Sequence, residues 1–257
     1  MTLDFRITQE FGNEEPLNPL QAYEIFRNIT LHLDWLLSTD KKWYEQGYTR
    51  KQASLYQVFI NGEISKPTLQ RWEKEYKKKP LNWTVGIWDG ESDEKSAGID
   101  FYPSHSSTEK RSNPLTLVIT FRVNQKLRYL NVDGALRLAT LLVNLNRNCT
   151  YLNIESRGYS FPVISTENGI NKIIYNKVFP ERISCGWMLY IPNAVLTELI
   201  PEAARVIPVM DNGRQRGTII VSTEELFDGE NEEHIAKSND IEIKLLDLGF
   251  LPLMTEL

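Results

Sequence analysis

Three residues toward the C-terminal end have the types and spacing of a phosphoryl-transfer site. Asp240-Ile-Glu242-Ile-Lys244 sets a Glu-x-Lys among apolar neighbours, and Asp211 precedes it. In a metal-dependent nuclease two such carboxylates hold Mg²⁺ and the lysine meets the scissile phosphate, with the Glu-x-Lys on a sheet edge. The same residues have a plainer reading. Ile235, Ile241, Leu245 and Leu248 recur at helical spacing, which makes Glu242 and Lys244 solvated residues of a terminal helix. Local charge also opposes a phosphate, because nine acids stand against two bases between Glu224 and Asp247. A nuclease using Asp211, Glu242 and Lys244 is therefore the alternative reading, not the leading one.

Other reactive types are sparse. His32, His105 and His234 have no partners at ligand spacing, and Cys149 and Cys185 are too few for a disulfide framework or a zinc site. There is no glycine-rich phosphate loop and no Gly-x-Ser-x-Gly. No cofactor, no metal site and no catalytic residue of its own are expected. Two charge clusters remain. Residues 66–79 hold six bases and two acids with Trp72 and Tyr76 interleaved, a pattern seen where nucleic acid is bound. An amphipathic helix with its aromatics inward and its lysines solvated explains the pattern equally. The acidic cluster Phe227-Asp-Gly-Glu-Asn-Glu-Glu233, with Glu225 beside it, lies partly in a turn. Glu232 and Glu233 suit a helix N-terminus. That role leaves Glu225, Asp228 and Glu230 over, beside an aromatic, Phe227, expected to be exposed. The cluster is the first candidate contact surface for a basic partner. Arg214 and Arg216, on the tip of an expected hairpin, are the second candidate contact, suited to insertion against metal-binding acids of a partner.

The elements that must position these residues follow from periodicity. Alternation predicts a strand over Leu3–Thr8, and helical spacing predicts a helix over Leu20–Leu37. Thr49 and Gln52 mark the start of a second helix, whose buried side would carry Ala53, Leu55, Tyr56 and Phe59. A third runs from Pro67 to Lys79 with Ser65 as its cap. Trp83–Trp88, Gly98–Tyr102 and Leu115–Val123 read as strands around an exposed loop that contains His105. Val132–Leu145 is a buried helix, followed by short strands at Tyr151–Ile154 and Phe161–Ile164. Cys185–Ile191 is apolar throughout and suits a central strand, with Trp187 alternating with Cys185 and Leu189. Ala194–Ile200 is a short helix. Val206–Met210 and Gly217–Val221 flank Asn212-Gly213, a strong hairpin signal. A final helix spans Asn231–Leu248 and is closed by Gly249.

The whole chain has 257 residues, with 41% hydrophobic and 25% charged side chains and a net charge of -5. That balance excludes collagen, coiled coil and disordered chains, and gives no general reason to hold nucleic acid. The start lacks a signal peptide, and no apolar stretch approaches a membrane span. A reducing cytoplasm is the expected location, with no membrane partner. Hairpins mixed with scattered helices predict a single α+β domain over residues 1–257, with a mainly antiparallel sheet and packed helices.

Five stretches taken together resemble a known family. They are Trp43-Tyr-Glu-Gln-Gly-Tyr-Thr-Arg-Lys-Gln-Ala53, Ile87-Trp-Asp-Gly90, Cys185-Gly-Trp-Met-Leu-Tyr-Ile-Pro192, Gly217-Thr-Ile-Ile-Val-Ser222 and Leu246-Asp-Leu-Gly-Phe-Leu-Pro252. In this order, over about residues 20–252, the chain is similar to the bacterial polymorphic-toxin immunity proteins of immunity protein family fifty-two. The resemblance implies a cytoplasmic α+β protein that binds a cognate toxin and blocks it. The usual toxin would be a restriction-endonuclease-fold DNase, often delivered by a type VI secretion system. No catalytic residue carries over. The toxin-binding candidates remain Glu225, Asp228, Glu230, Glu232, Glu233, Arg214 and Arg216.

Overall fold

In the computed structural model of the chain, the described residues are 3–12, 15–47, 49–91, 96–103, 114–124, 127–156, 158–160, 163–167 and 170–256. The loop around His105 and residues 161–162 of one expected strand lie outside them. Strand β1 (Leu3–Gly12) leads into helix α1 (Pro19–Leu37). Asn18 caps α1 by accepting the Leu20 and Gln21 N–H groups, while Gln21 reaches back to the Asn18 N–H at 3.0 Å. A small unit follows: β2 (Tyr44–Glu45), the one-turn α2 (Arg50–Ala53), the hairpin β3 (Phe59–Ile60) and β4 (Glu63–Ile64), and α3 (Lys66–Lys78), capped by Ser65. Then come β5 (Val85–Trp88), β6 (Ala97–Pro103), β7 (Pro114–Val123), α4 (Val132–Leu145) and β8 (Cys149–Ser156). The chain continues through β9 (Val163–Glu167), β10 (Ile170–Ile174), β11 (Met188–Ile191), β12 (Arg205–Asp211), β13 (Arg214–Val221) and α5 (Glu232–Asp247).

Nine of these strands make one sheet in the order β12-β13-β11-β8-β1-β7-β6-β5-β2, and each neighbouring pair of strands is antiparallel. The fold is α+β with a large antiparallel sheet. Alternation along β1 explains its layers. Phe5, Ile7 and Phe11 point to one face and are buried with Phe26, Ile29, Leu33 and Leu36 of α1 and Leu138 and Leu142 of α4. The other face is divided. At β11 and β13 it is apolar, and Leu189, Ile191 and Ile220 pack under Ile241 and Leu245 of α5. At β1 and β6 it carries Arg6, Thr8, Glu10, Asp100 and Tyr102, all half-buried.

Three expectations change. The second helix is only one turn long, and Leu55 and Tyr56 are exposed, because the chain leaves the helix at Ala53 to pair Tyr44 with Gln57. Ala194–Ile200 forms only a 3₁₀ turn over Thr197–Leu199. The third change matters most. β11 starts at Met188, because Gly186 takes φ +58° and breaks the alternation. Trp187 therefore joins the α1/α4 side and packs on Phe5 with ring centroids 5.8 Å apart, while Cys185 and Leu189 face α5. A side chain at 186 would lie 2.8 Å from the Ile154 carbonyl, so only glycine fits the kink.

Trp187 is wholly buried, and its indole N–H donates to the Thr223 carbonyl at 3.1 Å. Replacing it by alanine removes the ring and orphans that carbonyl. Trp187→Ala should cost about 3–5 kcal/mol, read as a lower denaturation midpoint at unchanged m-value. A midpoint within experimental error of the parent would show that the ring is not a core anchor.

Candidate functional site

The acidic segment joins β13 to α5. It is built on His234, whose Nδ1 accepts the Asp228 backbone N–H at 3.0 Å. The ring proton of the neutral imidazole therefore sits on Nε2, which faces Glu225 Oε2 at 3.2 Å. The ring also stacks on Phe227 at 5.8 Å. Phe227 is not the exposed aromatic its acidic neighbours suggest. It is fully buried, edge-on to Tyr159, and its carbonyl accepts Ser156 Oγ at 2.6 Å. Asp228 also departs from expectation. It is 8% exposed, and its Oδ1 accepts the Glu230 N–H, so it shapes the turn instead of facing a partner. Glu225, Glu230, Glu232 and Glu233 do reach solvent. Asn231 caps α5 through the Glu233 and His234 N–H groups, so Glu232 and Glu233 occupy its first turn. Glu233 lies 3.3 Å from Lys237. Glu224 is committed elsewhere: Arg205 bridges it, at 2.7 Å, to Asp133, also at 2.7 Å.

The hairpin forms as expected, with Asn212 and Gly213 both at positive φ. Its two arginines separate. Arg214 is exposed. Arg216, expected at the tip as a contact, is half-buried, and its guanidinium donates to the carbonyls of Val143 (3.1 Å) and Arg147 (2.9 Å) and to Asn144 Oδ1 (3.1 Å). Buried Gln9 serves the same end, donating to the Leu142 carbonyl at 3.0 Å. Arg216 thus meets the Val143 carbonyl in the last turn of α4, and Gln9 adds a second donor to the Leu142 carbonyl, which also accepts the Asn146 N–H.

The nuclease-type residues lie in a different context from the one that chemistry needs. Glu242 and Lys244 are on α5, not a sheet edge, and two helical residues are about 200° apart around the axis. Glu242 is wholly buried, against the expectation of a solvated residue. Its Oε1 accepts the Cys185 N–H at 2.8 Å and lies 3.2 Å from the Tyr159 hydroxyl. Neither Asp211 nor Lys244 is among its partners. Its Oε2 is buried with no partner among the described residues. Burial pushes this carboxyl up to about 7, against the opposing pull of the Cys185 N–H, Lys177 and Tyr159.

The remaining candidates are structural. On α3, Trp72 is buried and Tyr76 turns edge-on to Trp83, so neither offers a free face for stacking. Burial lowers the pKa of His32, which tilts against Trp35 at 5.2 Å. Cys149 and Cys185 are free, buried thiols whose pKa values burial raises. Among the described residues no three His, Cys, Asp or Glu side chains group around a metal-sized space, and no helix is long and apolar enough to cross a membrane.

Two measurements test these assignments. Glu242 has a folded pKa above its unfolded value, so its contribution is full below about pH 4.5 and is lost as pH rises through about 7. Glu242→Gln keeps the Cys185 hydrogen bond without titrating. The stability of the variant relative to the parent should therefore improve between pH 5 and pH 8, by on the order of 3 kcal/mol. A difference that stays flat with pH would refute the buried-carboxyl assignment. Arg216→Ala strips three acceptors at the end of α4 and should cost about 1–3 kcal/mol. The check is hydrogen exchange, which should rise in the last turn of α4 before the rest of the protein.

No protein-family model matches the chain, and no curated protein matches it significantly. Among solved structures the chain is similar to the T6SS protein PA0821 of Pseudomonas aeruginosa. The match has a TM-score of 0.52 at 13% identity and covers 95% of this chain and 76% of that one. At that identity the likeness is one of fold.

Proposed function

We propose that this protein is an immunity protein, without catalysis of its own, that binds a cognate toxin in the cytoplasm of the producing cell and neutralises it. The toxin in this reading is a DNase effector of a type VI secretion or related polymorphic-toxin system. The observation that carries the reading is a fold shared along 95% of the chain with a T6SS protein. The family-like stretches of the sequence point the same way. The acidic segment supplies a mechanism. A DNase presents positive charge where DNA lies, and Glu225, Glu230, Glu232 and Glu233 offer it carboxylates in place of phosphates. Opposite charge also speeds the encounter, which matters for an inhibitor of a genome-cutting enzyme. The contribution of Asp228 is indirect, through the turn that holds Glu230.

The test begins with the adjacent gene product. Its co-expression with this chain should give a complex and protect cells that die when the neighbour is expressed alone. Plasmid cleavage in Mg²⁺ by this protein alone, abolished by Glu242→Ala, would instead establish the nuclease alternative. Within the complex, changing Glu225, Glu230, Glu232 and Glu233 together to glutamine should slow association by ten-fold or more at low salt and flatten its dependence on ionic strength. Single exposed charges are worth only about 0.2–1 kcal/mol, so the four must be changed together. A folded quadruple variant that associates and protects like the parent would move the interface off this segment.

A further inference from the structure

The polar half of the second sheet face holds a cavity of about 310 Å³. Its mouth is set by the half-buried Arg6 and Glu10 of β1, and Tyr151, Asn153 and Glu155 of β8 form one wall. Lys177, from the segment between β10 and β11, lines the same space and is 4% exposed. An ammonium has three N–H donors and needs a counter-charge when buried. The Lys177 Nζ has one carbonyl, that of Arg182 at 2.8 Å, and a weak thioether contact to Met254 at 3.9 Å. No carboxylate of the described residues lies within ion-pair distance of it. Glu242 and Glu155 act on it only from further away, and burial lowers its pKa.

Around this cation the cavity gathers hydroxyls. Ser160 and Ser184 Oγ are 2.6 Å apart. Asn153 Nδ2 donates to Ser184 at 3.2 Å. Ser160 donates to the buried Glu155 through both its hydroxyl and its N–H. Arg6, Lys177 and Arg182 on the lining exceed Glu10 and Glu155 by one charge, which suits a group of one negative charge and two oxygens. Glu10 and Glu155 on the lining oppose a dianion such as phosphate. The volume equals about ten waters, far more than a chloride needs and enough for a carboxylate on a short carbon chain.

We propose that this cavity is a carboxylate-binding site in which Lys177 supplies the counter-charge and the Tyr151 hydroxyl orients the ligand oxygens. The carboxylate is either that of a free small acid or a glutamate or aspartate inserted by a partner protein. The site stands on its own observations and does not depend on the immunity reading.

The test is thermal denaturation and calorimetry of the full chain with glutarate, with an amidated pentapeptide holding one internal glutamate, and with phosphate and sulfate. Glutarate or the peptide should raise the melting temperature saturably, while phosphate and sulfate should not. Glutarate alone binding marks a free acid as the natural ligand, and the peptide binding more tightly marks a protein-borne one. Lys177→Met removes the charge at similar length. It should melt no lower than the parent and bind the effective carboxylate at least ten-fold more weakly. If Lys177→Met does not fold, Tyr151→Phe carries the affinity comparison, with the same direction expected. No shift with either carboxylate, an equal shift with phosphate or sulfate, or undiminished binding by the variant would overturn the proposal.

Discussion

A nine-stranded antiparallel sheet exposes two faces, and this chain has apolar cover for one and a half of them. Helices α1 and α4 seal one side over Phe5, Ile7, Leu117 and Ile119. Among the described residues only α5 lies on the other, over β8, β11 and β13. An antiparallel sheet tolerates a solvated face as long as its outward residues are polar. β1 obeys this by setting Arg6, Thr8 and Glu10 between Phe5, Ile7, Gln9 and Phe11. The boundary between the covered and uncovered halves runs along β8, so buried polar groups collect there. Asn153 and Glu155 point out of β8 yet are almost fully buried, because Ser160, Lys177 and Ser184 close over them.

The placement of α5 follows from one backbone irregularity. Gly186 turns the chain into the left-handed region, bridges Ile154 in parallel, and sends Trp187 to the far face, where its N–H bonds the Ile154 carbonyl at 2.7 Å. The kink also takes the Cys185 N–H out of the strand ladder. A buried N–H cannot go unmet at modest cost, and Glu242 meets it from α5. A carboxyl in that position is desolvated, which explains its raised pKa. The same kink thus fixes the large aromatic anchor on one face and the buried acid on the other.

Local signals in the sequence read through to the structure. The α4 helix, the Asn212-Gly213 hairpin, the Ser65 cap and the closure of α5 at Gly249 depend on residues a few positions apart, so periodicity and turn chemistry suffice to find them. Distant pairings were not legible. Phe227 sits among acids and reads as exposed, yet Tyr159 and His234 bury it. Arg216 reads as a free charge at a hairpin tip, yet its acceptors lie about 70 positions earlier in the chain. Lys177 carries no local pattern at all. Only the strands it crosses make it buried, and nothing in the sequence around it marks a cavity. The five surface carboxylates proposed for a partner reduce to four for a similar reason, since the turn consumes Asp228.

The remaining charges are arranged so that the two clusters act separately. The acidic segment is held to the end of β8 by Ser156, and the lysines of α3 lie beside the β2–β5 edge. Four strand spacings from β8 to β5 amount to about 20 Å. That is more than twice the screening length of about 8 Å at physiological salt. Neither cluster neutralises the other for a molecule arriving from solution. A positively charged molecule would be drawn to the acidic segment and repelled from the α3 lysines. Pairings at the surface sharpen this division. Arg205 is held by Glu224 and Asp133, and Arg71 by Glu45, so both guanidiniums are spent on the fold. With the α3 aromatics turned inward, the basic end offers charge without stacking surfaces, which makes it a poor platform for single-stranded nucleic acid. Of the two ends, the acidic one thus has the chemistry to select a positively charged protein surface.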